Sequence, residues 1–437
     1  MAWNVVIAGG GFAGANVARK LEAILPAQSA RLVLANDVNF MLYTPFLPEA
    51  AAGTLEPRHV VTPLREIVKR ANLKLGVVEG HDPATRQVEI TTYDGGTETV
   101  RYDQLVLAPG SISRFLPIPG LAEHAVGFKS LADAIWARNT VIESLELANA
   151  TEDPEVRDRL LRFVFVGGGY AGLEALAELQ DFAADAMRHY PRARLHGMHW
   201  MLIEAKDRVL PEIDAVLADY AANELRGRGI DIRLNTTLSE VTADTATLST
   251  GETFPTRMVV WTAGVIPQPS LRNLSVPLDE SGRVVVDDFC RVEGMEGVWA
   301  LGDAAAVPDP DGGLCAPTAQ HAVRQADTAA QNVAASLGIG APAPYRYRSR
   351  AAFVNLGRYK AVGMVGERTL SGFPAWWMAR TYHMSQIPGN ARKFRAVLDW
   401  TASLPFERDL SEVGSIGRPG VLATERYERG GSHRPMR

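Results

Sequence analysis

At 437 residues the chain is longer than one ordinary core requires, and 46% apolar with 22% charged residues is the composition of a folded globular protein. A formal net charge of -5 gives no support to nucleic-acid binding, which wants a basic face. Two cysteines, Cys290 and Cys315, exclude a disulfide framework and a cysteine-built metal cluster, and the nine histidines form no ligand pattern, so no metal is expected.

The N-terminus enters a strand within a few residues and lacks a basic n-region, so no signal peptide is expected and a reducing cytoplasm is. The apolar run Val5-Val6-Ile7-Ala8 leads into Gly9-Gly10-Gly11-Phe12-Ala13-Gly14, and a helix from Ala13 to Ile24 follows. This is G-x-G-x-x-G at a strand-to-helix junction, where the backbone can approach a pyrophosphate at a helix N-terminus. A second strand, Arg31 to Ala35, ends at Asn36 and Asp37, where an acceptor for a ribose hydroxyl belongs. The strand Leu105 to Ala108 runs into Pro109-Gly110-Ser111, and the proline-punctuated stretch Phe115 to Gly120 reads as a linker.

A second unit, from about Ala125 to Arg283, repeats the pattern: Phe163-Val164-Phe165-Val166, then Gly167-Gly168-Gly169-Tyr170-Ala171-Gly172, then a helix through Tyr190. After a loop at Pro191 to Leu195, the strand His199 to Glu204 ends on a carboxylate placed to bind ribose hydroxyls and repel a 2′-phosphate. Lys206 and Arg208 nearby could soften that preference, and Val259 to Gly264 closes the unit beside a nucleotide with Ala263 and Gly264. Two such turns argue for two dinucleotides in one protein and electrons passing between them. The chain then returns to its first unit through Gly297 to Leu301. Gly302 allows close approach, Asp303 is placed for a flavin ribityl hydroxyl, and a helix begins at Pro317-Thr318-Ala319-Gln320.

With these segments the chain resembles the type II NADH dehydrogenases, single-subunit NADH:quinone oxidoreductases of the glutathione-reductase-like superfamily. Asn39-Phe40 with Pro45-Phe46-Leu47, Leu105 to Ser111, Gly167 to Glu174, Trp261 to Val265, Leu301-Gly302-Asp303 and Ala319-Gln320-His321-Ala322 carry the likeness, up to about Leu410. The resemblance implies an α/β fold with two Rossmann-like domains, the second inserted in the first, and a C-terminal α/β region contacting the membrane. Residues 1–115 and 284–340 would form the FAD domain, 116–283 the NADH domain, 341–410 the membrane and quinone region, and 411–437 a disordered tail.

It also implies FAD in the first turn, with Pro45, Val78, Ala108 and Gly110 among its contacts, and NADH in the second. Reduced nicotinamide would deliver hydride to the flavin N5, and a quinone would take two electrons without proton pumping. Glu174 would handle hydride or a proton, Gln320 would face the quinone, and Tyr170 would cover the nicotinamide site or pack between strand and helix. The helix from Thr318 would direct its N–H groups at the reduced flavin. Asn36 in place of an acid, Pro109 in place of threonine and Arg324 in place of the second glutamine of A-Q-x-A-x-Q depart from the family pattern.

Phe373 to Leu404, with Trp376-Trp377, Arg380, Arg392-Lys393-Phe394 and Arg395, suits helices lying in a headgroup layer. A homodimer at the cytoplasmic side of the cell membrane, serving a respiratory chain, completes the expectation. A soluble NAD(P)H-dependent reductase of a small redox protein and an NADH-sensing flavoprotein are the alternatives.

Overall fold

A computed structural model describes residues 2–347, 351–366 and 368–412. The expected tail beyond 412 lies outside the described residues. The first sheet runs Val298–Ala300, Gln104–Leu107, Trp3–Ala8, Ala30–Asn36 and Asn72–Asp82, all parallel, and continues antiparallel through Gln87–Thr92 and Thr97–Arg101. Its four-residue apolar runs are buried on both faces, as parallel strands covered by helices require. Phe12–Ile24 and Ala319–Ser336 pack together over this sheet, so the late helix belongs to the first body although some three hundred residues separate it from the first strand.

The second sheet is wholly parallel, in the order Ala125–Val126, Met258–Trp261, Arg162–Val166, His199–Ile203 and Ile230–Arg233. Both glycine turns therefore follow a central strand of their sheet, with the next strand in sequence alongside. That is the position from which a parallel sheet presents a ligand to its strand C-termini. The exits are stitched together, because Ser111–Ser113 pairs antiparallel with Val265–Pro267.

Two elements differ from expectation. Pro191–His196 is a short helix and not a loop, with Pro191 at its first position, where the missing N–H costs nothing. The helix from the second turn ends at Ala186 and passes through a tighter turn, Met187–His189. A further helix, Leu131–Ala150, precedes the second turn, and Ser130 with Asp133 closes a reciprocal capping box at its start.

The C-terminal region has a small cluster of its own, Ala361, Ala375 and Trp376 with Tyr359 and Leu370, and otherwise joins the two larger cores. Its antiparallel sheet, Ala351–Asn355, Ala361–Val365 and Arg368–Ser371, adds Val354, Leu356 and Val362 to the second unit's core. The helices Gly372–Gln386 and Asn390–Ser403 send Ile387 and Ala396 against Tyr43, Phe46 and Leu55 of the first unit.

Candidate active site

The two glycine turns solve the same steric problem in the same way. At Gly9, in the left-handed region at φ +99°, a Cβ would lie 2.2 Å from the Ala108 carbonyl oxygen, and at Gly14 it would lie 1.9 Å from that of Gly9. At Gly167 (φ +110°) a Cβ would lie 2.8 Å from the Thr262 oxygen, and at Gly172 it would lie 2.1 Å from Gly167 O and 2.3 Å from Thr262 Oγ1. Gly11 and Gly169, by contrast, face open space for 4 Å. Each turn is thus locked by its outer glycines and open at its middle one, directly at the helix N-terminus (Phe12 and Ala13 in the first, Tyr170 in the second), which fits a pyrophosphate. Gly14→Ala is expected to give protein with little or no bound flavin, read from visible absorbance after purification; full occupancy would remove this turn from cofactor binding.

The residue at the end of each second strand holds the second glycine of its turn, Gly10 or Gly168. Glu204 accepts from the Gly168 N–H at 2.6 Å and from the Lys206 N–H at 2.8 Å. Asn36 accepts from the Gly10 N–H at 2.7 Å and donates through its amide nitrogen to Val38 O at 2.8 Å. An uncharged amide therefore does the turn-holding work of the expected acid, keeping one lone pair of Oδ1 for a ribose, and Asp37 stands exposed beside it. Arg208 donates to Pro211 O instead of lining the ribose position.

Gly302, at φ +70°, donates its N–H at 2.8 Å to Gln325 Oε1. Gln325 is the buried glutamine next to Arg324, and sequence reading passed over it. Asp303 accepts from Ser111 Oγ at 2.5 Å; Ser111 in turn accepts from Lys129, whose Nζ lies 3.8 Å from Asp303. Burial lowers the Lys129 ammonium, and Asp303 opposes that shift. Lys129 also was unforeseen, because the capping box at Ser130 carries it here from the second unit. Gly110, beside Ser111, takes the left-handed conformation at φ +76°, and Val78 is buried mid-strand in the first core.

Thr318 caps the late helix by accepting from the His321 N–H at 3.3 Å, leaving the N–H groups of Ala319 and Gln320 at its mouth. Gln320 donates to Ala351 O at 3.1 Å and accepts from Tyr347 at 3.3 Å. Arg324 is half exposed and its guanidinium stacks 5.4 Å from the Tyr347 ring centroid. From Phe12 in the first turn an aromatic wall runs through Tyr43 (5.6 Å between centroids) and Phe46 to Trp400 and His383 of the C-terminal helices. Burial holds His383 down at about 4, so it is neutral against the Tyr43 hydroxyl 3.1 Å away. Pro45 sits in the tight turn Thr44–Phe46 beneath this wall.

Glu174 accepts from the Asn355 N–H at 2.8 Å, and the Asn355 side chain donates to Glu178 at 2.8 Å and Glu49 at 3.3 Å. Desolvation, with Glu49 and Glu178 adding repulsion, raises Glu174 to about 8, although the Asn355 bond opposes the shift. A carboxyl that keeps its proton at neutral pH can donate one.

Among the described residues, Asp158, His196 and His199 also come together. The Arg162 guanidinium, 3.0 Å from Asp158, already supplies the positive charge there. Asp309, Cys315 and His321 form a second group, in which burial lifts the Cys315 thiol to about 11. The same shift leaves it a poor nucleophile.

The family profile described as pyridine nucleotide-disulphide oxidoreductase matches residues 3–332. A relative from Dictyostelium discoideum named probable NADH dehydrogenase is 31% identical over 85% of this chain and 84% of its own. The type II NADH:quinone oxidoreductase Ndh of Mycobacterium tuberculosis is 29% identical over 92% of this chain and 88% of its own. The solved structure of NDH2 from Plasmodium falciparum in complex with NADH shares the fold, with a TM-score of 0.86 at 16% identity over 94% of this chain and 100% of that one. The chain belongs to the pyridine nucleotide-disulphide oxidoreductase family, on its type II NADH dehydrogenase branch.

Proposed function

We infer that the protein is an FAD-dependent NADH:quinone oxidoreductase. The observation carrying this is the pair of sterically equivalent glycine turns, one in each parallel sheet, whose strand ends meet where Ser111, Asp303 and Lys129 cluster. Relatives named for NADH and quinone supply the substrates.

The residues present fit FAD in the first turn: open Gly11, the acceptor Asn36, and the Ser111–Asp303 pair for a polyol chain. FAD, when bound, supplies the two-electron chemistry that links NADH to quinone. Everything else falls to the chain's own groups. Gly169 and the helix behind it receive the NADH pyrophosphate, and Glu204 repels a 2′-phosphate. The amides of Ala319 and Gln320 place positive potential beside the position where negative charge accumulates. Glu174 holds a proton in the second unit, and Gln320 faces the acceptor side.

No described helix is long and apolar enough to cross a membrane. The acceptor is reached from the surface: Phe373, Trp377, Phe394, Leu398 and Phe406 are all exposed on or beside the two C-terminal helices, next to Lys393 and Arg395. Peripheral attachment at the cytoplasmic face of the cell membrane, as a homodimer, belongs to the same reading. Trp376 and Arg380 do not share in it. Both are buried, with the guanidinium 4.0 Å from the Trp376 ring centroid, and they face the protein.

Anaerobic reduction tests the reading. NADH should bleach the flavin at least about tenfold faster than NADPH, since discrimination at a charged 2′ position is worth more than 1.4 kcal/mol, and a short-chain quinone should restore the colour. Bleaching that quinone cannot reverse would favour a protein acceptor; a colourless protein refusing added FAD would end the proposal.

A further inference from the structure

One cation crosses from the second unit to the cluster at the end of the first sheet. Lys129 lies between Phe128, buried in the second unit's core, and Ser130, the N-cap of the helix Leu131–Ala150. The Asp133 carboxylate accepts from the Lys129 N–H at 2.8 Å and from the Ser130 N–H at 2.9 Å, which fixes the backbone from which the side chain leaves. Gly127 keeps this segment close to the exit strand Ser111–Ser113, since a Cβ there would lie 3.2 Å from Ser113 Oγ. The ammonium thus meets Ser111 and comes within 3.8 Å of Asp303. Among the described residues it is the only cation within 4 Å of that carboxylate.

The hydrogen bonds run in one direction. Lys129 can only donate, so Ser111 Oγ accepts from it and sends its single hydroxyl proton to Asp303 Oδ2 at 2.5 Å. Asp303 Oδ1 is then left, among the described residues, to accept from a polyol hydroxyl. The charge matters as much as the direction. Two-electron reduction leaves a flavin more negative, and an unpaired carboxylate beside it would oppose that change. The side chains of Lys129 and Asp303 are 34% and 22% exposed, so water screens the pair only in part.

We propose that Lys129 is a positioning residue by which the second unit completes the flavin site of the first: it orients the Ser111–Asp303 pair and holds the flavin's reduction potential up. The inference rests on FAD occupying the first turn, as proposed above. It adds that the first unit's own residues do not suffice to set the cofactor's potential.

Lys129→Met and Lys129→Arg, made in the full-length holoprotein, test it. At pH 7 the Met variant should shift the flavin's two-electron equilibrium with a reference dye at least about tenfold toward oxidised flavin, a fall of about 30 mV in potential. The Arg variant keeps the charge and should recover most of that shift. A Met variant that purifies without flavin is titrated with oxidised and with reduced FAD, because the ratio of the two dissociation constants reports the same shift. Equal weakening of both would mean a merely structural lysine and would overturn the inference. So would a Met variant holding flavin at the wild-type potential, or equal shifts for Met and Arg; each leaves the flavoprotein reading intact. A wild type that takes up no FAD overturns both readings, and its lack of colour tells that outcome apart.

Discussion

Glu174→Gln is expected to lower NADH:quinone turnover by roughly a hundredfold, the low end of what a positioned acid–base group contributes, while leaving FAD bound. The amide is isosteric and its oxygen can still accept from the Asn355 N–H, so the fold has no reason to change. What disappears is the proton. In the wild type, burial raises Glu174 to about 8, so the group is mostly protonated at neutral pH and ionises above. A proton donor of this kind gives a rate that is level below pH 8 and falls above it. Its folded pKa also lies above the unfolded carboxylate value. The native state therefore binds an extra proton between those two values, and stability declines as pH rises through that window, disappearing as a trend once both states are ionised. Glu178, also raised by burial, and Glu49 face Glu174 across Asn355, so the falling limb belongs to the cluster. The variant should lose most of that limb together with its rate. Stopped-flow flavin reduction and steady-state turnover, each run across pH, decide this: unchanged rates with an unchanged limb would take Glu174 out of the mechanism.

The turns were legible because their constraint is local. A glycine spaced five residues from another at a strand end needs no tertiary knowledge to be read as a close backbone approach, and Gly9/Gly14 and Gly167/Gly172 meet the contacts that reading requires. Glu204 was equally readable as the end of an apolar strand. What escaped was delivered by long-range packing. Lys129 reaches Asp303 across 174 residues of sequence, and Tyr43 reaches His383 across 340. Gln325 escaped for another reason: it sits one position beyond a motif slot already assigned to Arg324, and only the inward face of the helix Ala319–Ser336 shows that it holds Gly302. The Trp376-Trp377 pair gives the plainest lesson. Adjacent helical residues point about 100° apart, so one indole faces the core and stacks on Arg380 while the other, 61% exposed, faces out. Composition marked the segment as amphipathic without giving its phase.

That phase changes how membrane binding must be tested. Removing everything from Phe373 onward would also strip Trp400 from Glu49, whose Oε2 it meets at 2.7 Å, expose the wall against Phe46, and dismantle the Arg380 and Arg408 contacts. A lost activity would then report a broken fold. Phe373→Ser/Trp377→Ser/Phe394→Ser changes side chains that are each more than half exposed, of which Phe373 alone also sets its ring against Tyr359 and the buried Trp376. Burying the exposed part of each ring in lipid is worth about 1 kcal/mol, so the triple variant should bind vesicles roughly a hundredfold more weakly. The exposed Arg395 and the part-buried Lys393 add about 1 kcal/mol each on anionic lipid and should leave a residual, salt-sensitive affinity. Reduction of a soluble quinone should stay within a factor of two of wild type, as roughly expected when the residues about Gln320 and Glu174 keep their contacts. Reduction of a long-chain quinone dissolved in the vesicle should fall with binding. If the triple variant co-sediments with vesicles as well as the wild type does, the docking face lies elsewhere on the molecule.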